Sequence, residues 1–391
     1  MRERKPESVP AFAPDEYAGR LARLRPAMQA AGLDALLMFK PESQYWLTGY
    51  DTFGYCFFQC LVVTSDGRMA LLTRSADLRQ ARHTSVIPDV RVWVDGEAAT
   101  PALDLRGMLV EFGLAGGKLG VEWRSHGLTA ADGMALAATL DGFATLEDAS
   151  RLVSRLRLVK SPAELDAVRE AGRLADAAFL AGMAETRPGA DEGDILAAMH
   201  DAVFRAGGDY PGNPFIIGSG RDALLCRYKT GRRRLDPDDQ LTLEWAGASR
   251  HYHAALMRTV VIGRPRPRHG ELFAAAKDAL LACEATLRPG RTVGEVFAAH
   301  AETLDRLGLG AHRLNACGYS LGAVFAPSWM DWPMAYADNP VVLEPGMVFF
   351  LHMILADSDS ETAMTLGRTS IVGDSSPECL SALPLELVVK P

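Results

Sequence analysis

The sequence feature that most constrains the fold is a diverged internal repeat in the second half of the chain. Arg187 and Arg288 each open an Arg-Pro-Gly turn, and the two turns lie 101 residues apart. A helix-like segment precedes each turn, and a second helix-like segment and strand-like sequence follow it. The repeat therefore predicts two α+β halves related by pseudo-symmetry, with strands between them. We expect a ligand to bind between the halves.

The N-terminal part of the chain carries a different pattern, in which helix and strand alternate. Glu16 to Ala31 has helical periodicity, and Ala35 to Phe39 is strand-like. Cys60 to Val63 and Met69 to Leu72 are two further strand-like runs on either side of a Ser-Asp-Gly turn. This alternation predicts an α/β domain.

A long helix marks the change from one pattern to the other. Ser161 is a good N-cap residue, Pro162 stands at the first helical position and Glu164 completes a capping box. Apolar residues then recur every three to four positions, so one face of this helix should pack on a core. We therefore predict a first domain over residues 1–155 and a second over residues 156–391.

Composition narrows the classes of function. The chain has 391 residues, of which 48% are hydrophobic and 23% charged, as in ordinary globular proteins. A net charge of -8 argues against nucleic acid or an anionic membrane as the main partner and favours a small molecule. The six cysteines include no CxxC pair, which favours reduced thiols and a cytoplasmic location. We find no signal-peptide pattern and no apolar run near the roughly 20 residues of a membrane-spanning helix, and we expect no membrane insertion.

Several segments in the second domain resemble those of one enzyme family, in the same order. The segments are LRLVKSPAELDAVREAG, NPFIIGSGRDALLCRYK, DQLTLEWAG, MRTVVIG, ACGYSLG and EPGMVFFLHM. They resemble the creatinase, prolidase and methionine aminopeptidase family, and ESQYWLTGY resembles the N-terminal domain of that family. The resemblance implies an N-terminal creatinase-like α/β domain followed by a pseudo-symmetric α+β catalytic domain with the pita-bread fold.

The resemblance also locates the metal ligands of the family's peptidases, which are two aspartates, a histidine and two glutamates. The corresponding positions here are Glu244, Ala255, Tyr319, His352 and Gly367. Alanine, glycine and a neutral tyrosine are not ligands for hard or borderline divalent ions. With these departures, the resemblance implies an enzyme that uses no metal and no other cofactor.

Three residues are candidates for the chemistry. Glu244 lies in the apolar run LTLEWAG, where an unpaired carboxylate is costly, so it needs a cationic partner. A bound organic cation meets that need, and an ion pair with Arg258 is the structural alternative. His253 and His352 are candidates for proton transfer, because histidine titrates near neutral pH. Surface or core histidines are the alternative for both, and Glu244, His253 and His352 together also allow a rebuilt metal site.

Other residues are candidates for substrate binding. Trp329 and Trp332 flank Asp331, and aromatic faces beside a carboxylate suit a delocalised cation, although the same residues also fit a hydrophobic core. Arg227 stands where family members carry a histidine, and its guanidinium is suited to binding a carboxylate with two hydrogen bonds. The remaining candidates for substrate contact are Tyr252, Tyr319 and, in an acidic loop, Glu361.

The segment GYDTFGY bears on the oligomeric state. It contains Tyr50 and Phe53 and is richer in aromatic side chains than a turn needs. Family members of this build form dimers in which the N-terminal domain helps to close the neighbour's site. We therefore predict a homodimer in which Tyr50 and Phe53 contact the substrate, with a local core of the first domain as the alternative.

Within the family, the strings LTLEWAG, RHYHAALMRT, RLNACGYSLG and PSWMDWP look most like the ectoine hydrolases. Those enzymes open the cyclic amidine of ectoine, a small zwitterion, to N-acetyl-diaminobutyrate. The resemblance implies that Glu244 binds the amidinium and then attacks its central carbon, or that Glu244 activates a water molecule as a general base. A metal-dependent Xaa-Pro peptidase and a non-catalytic binding module on the same fold are the alternatives.

Overall fold

The computed structural model describes residues 10–227 and 233–391. The chain divides into two compact units, Met1–Arg157 and Leu158–Pro391. None of the helices in the described part of the chain combines the length and the hydrophobicity that a transmembrane segment requires.

The first unit is built around a mixed six-stranded sheet. Its helices are α1 (Pro14–Ala30), α2 (Pro41–Thr48), α3 (Leu78–Thr84), α4 (Pro101–Glu111), α5 (Ala130–Leu140) and α6 (Leu152–Leu156). Its strands are β1 (Ala35–Met38), β2 (Cys60–Thr64), β3 (Met69–Arg74), β4 (Asp89–Trp93), β5 (Lys118–Val121) and β6 (Thr145–Asp148). The strand order is β4-β3-β2-β1-β5-β6, in which β1/β2 and β2/β3 are antiparallel and the other pairs parallel. The α/β expectation and the hairpin of β2 and β3 are confirmed.

The central strand of this sheet is buried on both faces. Ala35 and Leu37 belong to one hydrophobic core, and Leu36 and Met38 belong to another. Because successive side chains of a strand point to opposite faces, the continuous apolar run of β1 is the pattern of a sheet covered on both sides.

The second unit is built around a nine-stranded sheet. Its helices are α7 (Pro162–Glu185), α8 (Glu192–Arg205), α9 (Pro267–Thr286) and α10 (Val293–Arg306). Its strands are β7 (Ile216–Ser219), β8 (Asp239–Ser249), β9 (Tyr252–Ile262), β10 (Gly318–Ser320), β11 (Asp331–Met334), β12 (Val348–Asp357), β13 (Thr362–Ile371), β14 (Glu378–Cys379) and β15 (Val388–Lys390). The main strand order is β11-β10-β12-β13-β9-β8-β7, with β14 against β13 and β15 against β9.

The internal repeat appears as two helix pairs, each followed by a long hairpin. The pair α7 and α8 precedes the β8/β9 hairpin, and the pair α9 and α10 precedes the β12/β13 hairpin. The two hairpins meet where β9 adjoins β13. The predicted capping box is present at the start of α7, where Ser161 and Glu164 exchange side chain to backbone hydrogen bonds of 2.7 and 3.3 Å.

The β8/β9 hairpin has one face on helix α7 and an opposite face that carries the candidate site. Trp245 packs on the helix side, where its indole Nε1 donates to the Ala175 carbonyl oxygen at 2.8 Å. Gly247 shares that side, and a Cβ there would lie 2.0 Å from the Ala171 carbonyl oxygen, so only glycine allows the helix this close. Glu244 alternates with Trp245 and therefore points to the other face.

Candidate active site

Glu244 is a buried carboxylate in the middle of β8. Only 9% of its surface is exposed, and burial raises its pKa to about 7, against the lowering effects of the Tyr319 hydroxyl and the Arg227 charge. Its hydrogen-bond donor among residues 10–227 and 233–391 is the Tyr319 hydroxyl, 3.2 Å from Oε1. A carboxyl group with a pKa near neutrality is suited to act as a base or nucleophile at physiological pH.

Tyr319 and Trp329 form a hydrogen-bonded chain that ends on this carboxylate. The Trp329 indole Nε1 donates to the Tyr319 hydroxyl oxygen at 2.8 Å, and that hydroxyl donates to Glu244. Both aromatic side chains are almost fully buried, and burial together with the Glu244 charge raises the pKa of Tyr319. The structure therefore brings together three residues that the sequence analysis selected separately.

Three rings form a triangle beside Glu244. The ring centroids of Tyr319, Phe350 and His352 are 5.4 to 5.6 Å apart. Burial and the charges of His300 and Arg227 lower the pKa of His352 to about 3, so its ring is neutral at physiological pH. Its Nδ1 has no hydrogen-bond partner among the described residues.

Phe350 was missed by the sequence analysis, although a signal for it was available. It precedes His352 by two positions on β12, and both side chains therefore point to the same face of the sheet. Alternation within the apolar run MVFFLHMIL would have selected it together with His352.

Two arginines are candidates to balance the Glu244 charge. Arg227 is exposed, and its positive charge lowers the pKa of Glu244 and of His352. Arg258 instead lies on the helix side of β9, where its Nη1 donates to the carbonyl oxygens of Met257 and Gly367 at 2.8 and 2.7 Å. The predicted alternative of an ion pair between Glu244 and Arg258 is therefore wrong.

The family's five ligand positions do meet at this site, but their side chains do not fit a metal centre. Ala255 provides no ligand atom, and a Cβ on Gly367 would lie 2.9 Å from Cε2 of the Phe350 ring, which fills the space of a fifth ligand. Glu244 and His352 are the two strong donors that remain. Within the described ranges 10–227 and 233–391, no group of three or more His, Cys, Asp or Glu side chains is placed to hold a metal ion.

The strand residues His253 and Tyr252 are engaged elsewhere. The Nε2 of His253 accepts from the Gly212 backbone N–H and its Nδ1 donates to the His251 carbonyl oxygen, both at 2.8 Å. Burial lowers the pKa of His253 to about 4, and with both nitrogens bonded the ring has no position free for proton transfer. Tyr252 points to the helix side, where its hydroxyl donates to Glu164 at 2.5 Å, so it does not contact the site around Glu244.

Asp331 and Trp332 also lie away from Glu244. A Cβ on Gly322 would be 3.4 Å from Asp331 Oδ2 and 3.8 Å from Lys160 Nζ, so this carboxylate lies beside a buried lysine. Lys160 in turn donates to Ser320, which alternates with Tyr319 along β10 and points to the other face. Trp332 packs against the main core of the unit, as the core alternative predicted.

Glu361 lines a separate polar cavity of about 560 Å³. It pairs at 2.8 Å with Arg221, which lines the same cavity. Glu244, Tyr319 and His352 are not among the lining residues, so Glu361 is not part of the site around Glu244. In the first unit, Tyr50 is buried and its hydroxyl lies 3.4 Å from the Thr73 Oγ1, whereas the Phe53 side chain is 73% exposed. Tyr50 therefore fits the core alternative, and Phe53 remains a candidate contact for a partner.

Comparison with known proteins identifies the family. The model of metallopeptidase family M24 matches residues 166–373, and that of the creatinase/prolidase N-terminal domain matches residues 20–159. The uncharacterized hydrolase/peptidase y4tM of Sinorhizobium fredii is 29% identical over 97% of this chain and 98% of its own length. The ectoine hydrolase of Halomonas elongata is 27% identical over 97% and 98%, respectively.

Solved structures agree with this fold. The dipeptidase PepE of Mycobacterium ulcerans superposes with a TM-score of 0.84 and 26% identity, over 97% of this chain and 99% of that one. The catalytic-domain match covers more than half of the chain and includes all five ligand positions. The chain therefore belongs to metallopeptidase family M24, a family of hydrolases, and carries the creatinase/prolidase N-terminal domain.

Proposed function

We propose that this protein is a metal-independent ectoine hydrolase, which opens the cyclic amidine of ectoine to N-acetyl-L-2,4-diaminobutyrate. The observation that carries the proposal is the buried Glu244 carboxylate, which accepts one hydrogen bond within the described residues and lies beside a triangle of aromatic rings. The ectoine hydrolase of Halomonas elongata, similar along nearly the whole chain, supports the same substrate.

The charges and surfaces of the site suit a flat zwitterion. An amidinium next to Glu244 provides the positive charge that a buried carboxylate requires, and it lowers the pKa of that carboxylate on binding. The aromatic ring of Tyr319, whose hydroxyl bonds to Glu244, is of the kind that attracts a delocalised cation. Arg227, exposed and close enough to influence Glu244, is suited to bind the carboxylate of the substrate.

Glu244 is suited to two versions of the reaction. In the covalent version, its oxygen forms a bond to the amidine carbon, and the C–N bond to one ring nitrogen then breaks, with that nitrogen taking a proton from solvent water and leaving as an amine. Water next adds to the same carbon, the bond to Glu244 breaks, and the other nitrogen keeps the acetyl group as an amide. In the direct version, Glu244 takes a proton from the attacking water and passes it to the departing nitrogen. The neutral His352 ring, whose Nδ1 has no partner within the described residues, is suited to orient the attacking water by accepting a hydrogen bond from it.

A metal-dependent Xaa-Pro peptidase is the alternative that the prolidase relatives suggest. It requires ligands that the positions of Ala255 and Gly367 do not supply, and the Phe350 ring occupies the space of one of them. A non-catalytic binding module would retain the fold but turn over neither substrate.

The test is incubation of the chelator-treated protein with ectoine, followed by NMR detection of the ring-opened product. We expect product without added metal, no product from Glu244→Gln, and unchanged turnover in the matched variant Glu361→Gln, whose carboxylate lies outside the site. Cleavage of an Xaa-Pro dipeptide that needs added Mn²⁺ would support the peptidase instead. Binding without turnover of either substrate would support the binding module.

We also propose that the protein forms a homodimer in which the exposed Phe53 contacts the partner's site. Large exposed aromatic side chains are typical of interfaces. Sedimentation analysis of the wild type and of Phe53→Ser tests this, with a dimer expected for the wild type and weaker association for the variant. A wild-type monomer with full activity on dilution would exclude it.

A further inference from the structure

A loop outside the predicted site is connected to Glu244 through hydrogen bonds. The Oδ1 of Asn213 accepts the backbone N–H of Trp329 at 3.1 Å. The indole of the same tryptophan donates to the Tyr319 hydroxyl at 2.8 Å, and that hydroxyl donates to Glu244 at 3.2 Å. One side-chain amide thus holds the backbone of the residue that orients the donor of Glu244.

The loop is itself held against β9 and against the Trp329 segment. The backbone N–H of Gly212 donates to His253 Nε2 at 2.8 Å, so the buried neutral imidazole holds the loop against β9. A Cβ on Gly212 would lie 2.9 Å from the Ser328 carbonyl carbon and from the Trp329 nitrogen. Because real Cβ atoms do not approach backbone atoms this closely, any side chain at position 212 must displace the Trp329 segment.

We propose that Asn213 is a positioning residue, which fixes the Trp329 indole so that the Tyr319 hydroxyl stays directed at Glu244. The importance of this role for turnover rests on the proposed function, whereas the geometry is a property of the protein without substrate. The same arrangement gives His253 a function, since its ring holds the loop that carries Asn213.

The physical reason is that the Trp329 indole and the Tyr319 hydroxyl are joined by a hydrogen bond, so the position of the indole decides the direction in which the hydroxyl donates. The Tyr319 hydroxyl hydrogen rotates about its C–O bond, and the Trp329 donor at 2.8 Å leaves Glu244 as its acceptor. If the Trp329 backbone moves, the indole leaves the hydroxyl and the orientation of the donor is lost. Small displacements of this kind reduce turnover much more than they reduce binding.

The test follows the indole N–H resonances of the full-length protein by ¹⁵N NMR. The chain has six tryptophans, and Trp329→Phe identifies the resonance of Trp329. We compare Asn213→Ala with Asn213→Asp, which retains an acceptor oxygen, and with Gly212→Ala, which perturbs the segment independently. The matched control is Asn339→Ala, because Asn339 is a buried amide of the same unit that bonds to Met334 and Val341.

We expect Asn213→Ala and Gly212→Ala to shift the Trp329 resonance, while Asn213→Asp and Asn339→Ala leave it near its wild-type position. With ectoine at pH 7, Asn213→Ala should lower kcat by up to about tenfold, which is no more than the loss of the Tyr319 hydroxyl itself would cost, with KM changed less than about twofold, and Asn213→Asp should restore kcat. An unchanged Trp329 resonance in folded Asn213→Ala would overturn the proposal, as would an equal shift in Asn339→Ala. If the wild type does not turn over ectoine, the proposed function fails, but the resonances still decide whether Asn213 positions Trp329.

Discussion

Gln240 and Glu244 are buried polar side chains on the same face of strand β8, four residues apart, and their surroundings are opposite in character. The Gln240 side-chain amide, at the N-terminal end of the strand, donates to two backbone carbonyl groups and accepts from three donors. Glu244 in the middle accepts from Tyr319, its hydrogen-bond partner within residues 10–227 and 233–391. A saturated amide stabilises the fold, whereas a poorly satisfied carboxylate costs stability and is retained for another reason.

The same contrast separates the histidines of the two regions. Beside Gln240, the Nδ1 of His269 accepts from the Arg266 backbone and its Nε2 donates to Gln240 Oε1. Beside Glu244, the Nδ1 of His352 has no partner in the described part of the chain. Burial lowers the pKa of both rings, to about 4 and about 3, so both are neutral and differ in whether a nitrogen remains available. The polar groups of Gln240 and His269 at the 560 Å³ cavity are thus held by hydrogen bonds, whereas the region around Glu244 leaves a ring nitrogen of His352 available within the described residues.

The largest effect is expected from Glu244→Gln, which keeps the volume and removes the charge. A general base contributes about 10²- to 10⁴-fold to turnover, and a covalent nucleophile contributes more. With the fold intact, we therefore expect a loss of kcat of about 10²- to 10⁴-fold in the direct version and of more than about 10⁴-fold in the covalent version. Mass spectrometry of the wild type quenched with ectoine would find an added mass on the peptide containing Glu244 in the covalent version only. Turnover within a few-fold of the wild type would make Glu244 structural.

The same substitution should stabilise the protein at alkaline pH. Because burial raises the pKa of Glu244 from 4.5 to about 7, the folded state holds its proton more tightly than the unfolded state. The stability that the protonated Glu244 carboxyl contributes to the folded state is fully present below pH 4.5 and is lost as pH rises through about 7. At pH 8, the free energy of unfolding of Glu244→Gln should therefore be up to about 3 kcal/mol higher than that of the wild type. At pH 4.5 the two free energies should differ little. Denaturant unfolding at both pH values checks this, and a destabilised variant at pH 8 would contradict it.

Gln240→Ala should lower stability and leave turnover nearly unchanged, which is the reverse of the effects expected for Glu244→Gln. Gln240→Ala removes the acceptor of the Ala363 backbone N–H and of the His269 Nε2–H, which are both buried. A buried donor without an acceptor lowers the free energy of unfolding by about 1 to 3 kcal/mol. We expect a loss of at least about 2 kcal/mol in the free energy of unfolding, and turnover within a few-fold of the wild type. Urea unfolding and the ectoine assay measure the two quantities. A large loss of turnover with unchanged stability would show that the cavity over Gln240 takes part in the reaction, and the contrast drawn between Gln240 and Glu244 would be wrong.

The sequence allowed accurate prediction where the signal was local. The capping box at Ser161 and Glu164 depends on residues three positions apart, and the apolar run around Glu244 shows directly that its carboxylate is buried. The two halves of the second unit followed from the repeated turns at Arg187 and Arg288, because each repeat folds as one helix pair and one hairpin.

Prediction failed where the outcome depended on long-range contacts. His253 lies on the face of the β8/β9 hairpin that carries Glu244, but its nitrogens bond to Gly212 and to His251, which no strand pattern reveals. Asp331 follows Trp329 closely in sequence, but pairing with Ser320 directs it towards Lys160. The role of Asn213 depends on a contact across 116 residues of sequence.

The smallest effect is expected from Tyr319→Phe, which removes the hydrogen bond to Glu244 and leaves the ring in place. This bond favours the ionised carboxylate, so its loss should raise the pKa of Glu244 above its value of about 7. A hydrogen bond to a charged group is worth about 1.5 to 3 kcal/mol, which corresponds to a rise of about one to two units in the pKa of Glu244. Near neutral pH, the ionised fraction of Glu244 in the variant is then roughly a tenth or less of that in the wild type. Turnover of ectoine should therefore fall about tenfold at pH 7 and recover most of this loss at pH 9, where Glu244 is ionised again. A loss of the same size at both pH values would show that the tyrosine acts as a proton donor in the reaction, and Glu244 would then not be the group whose ionisation limits the rate.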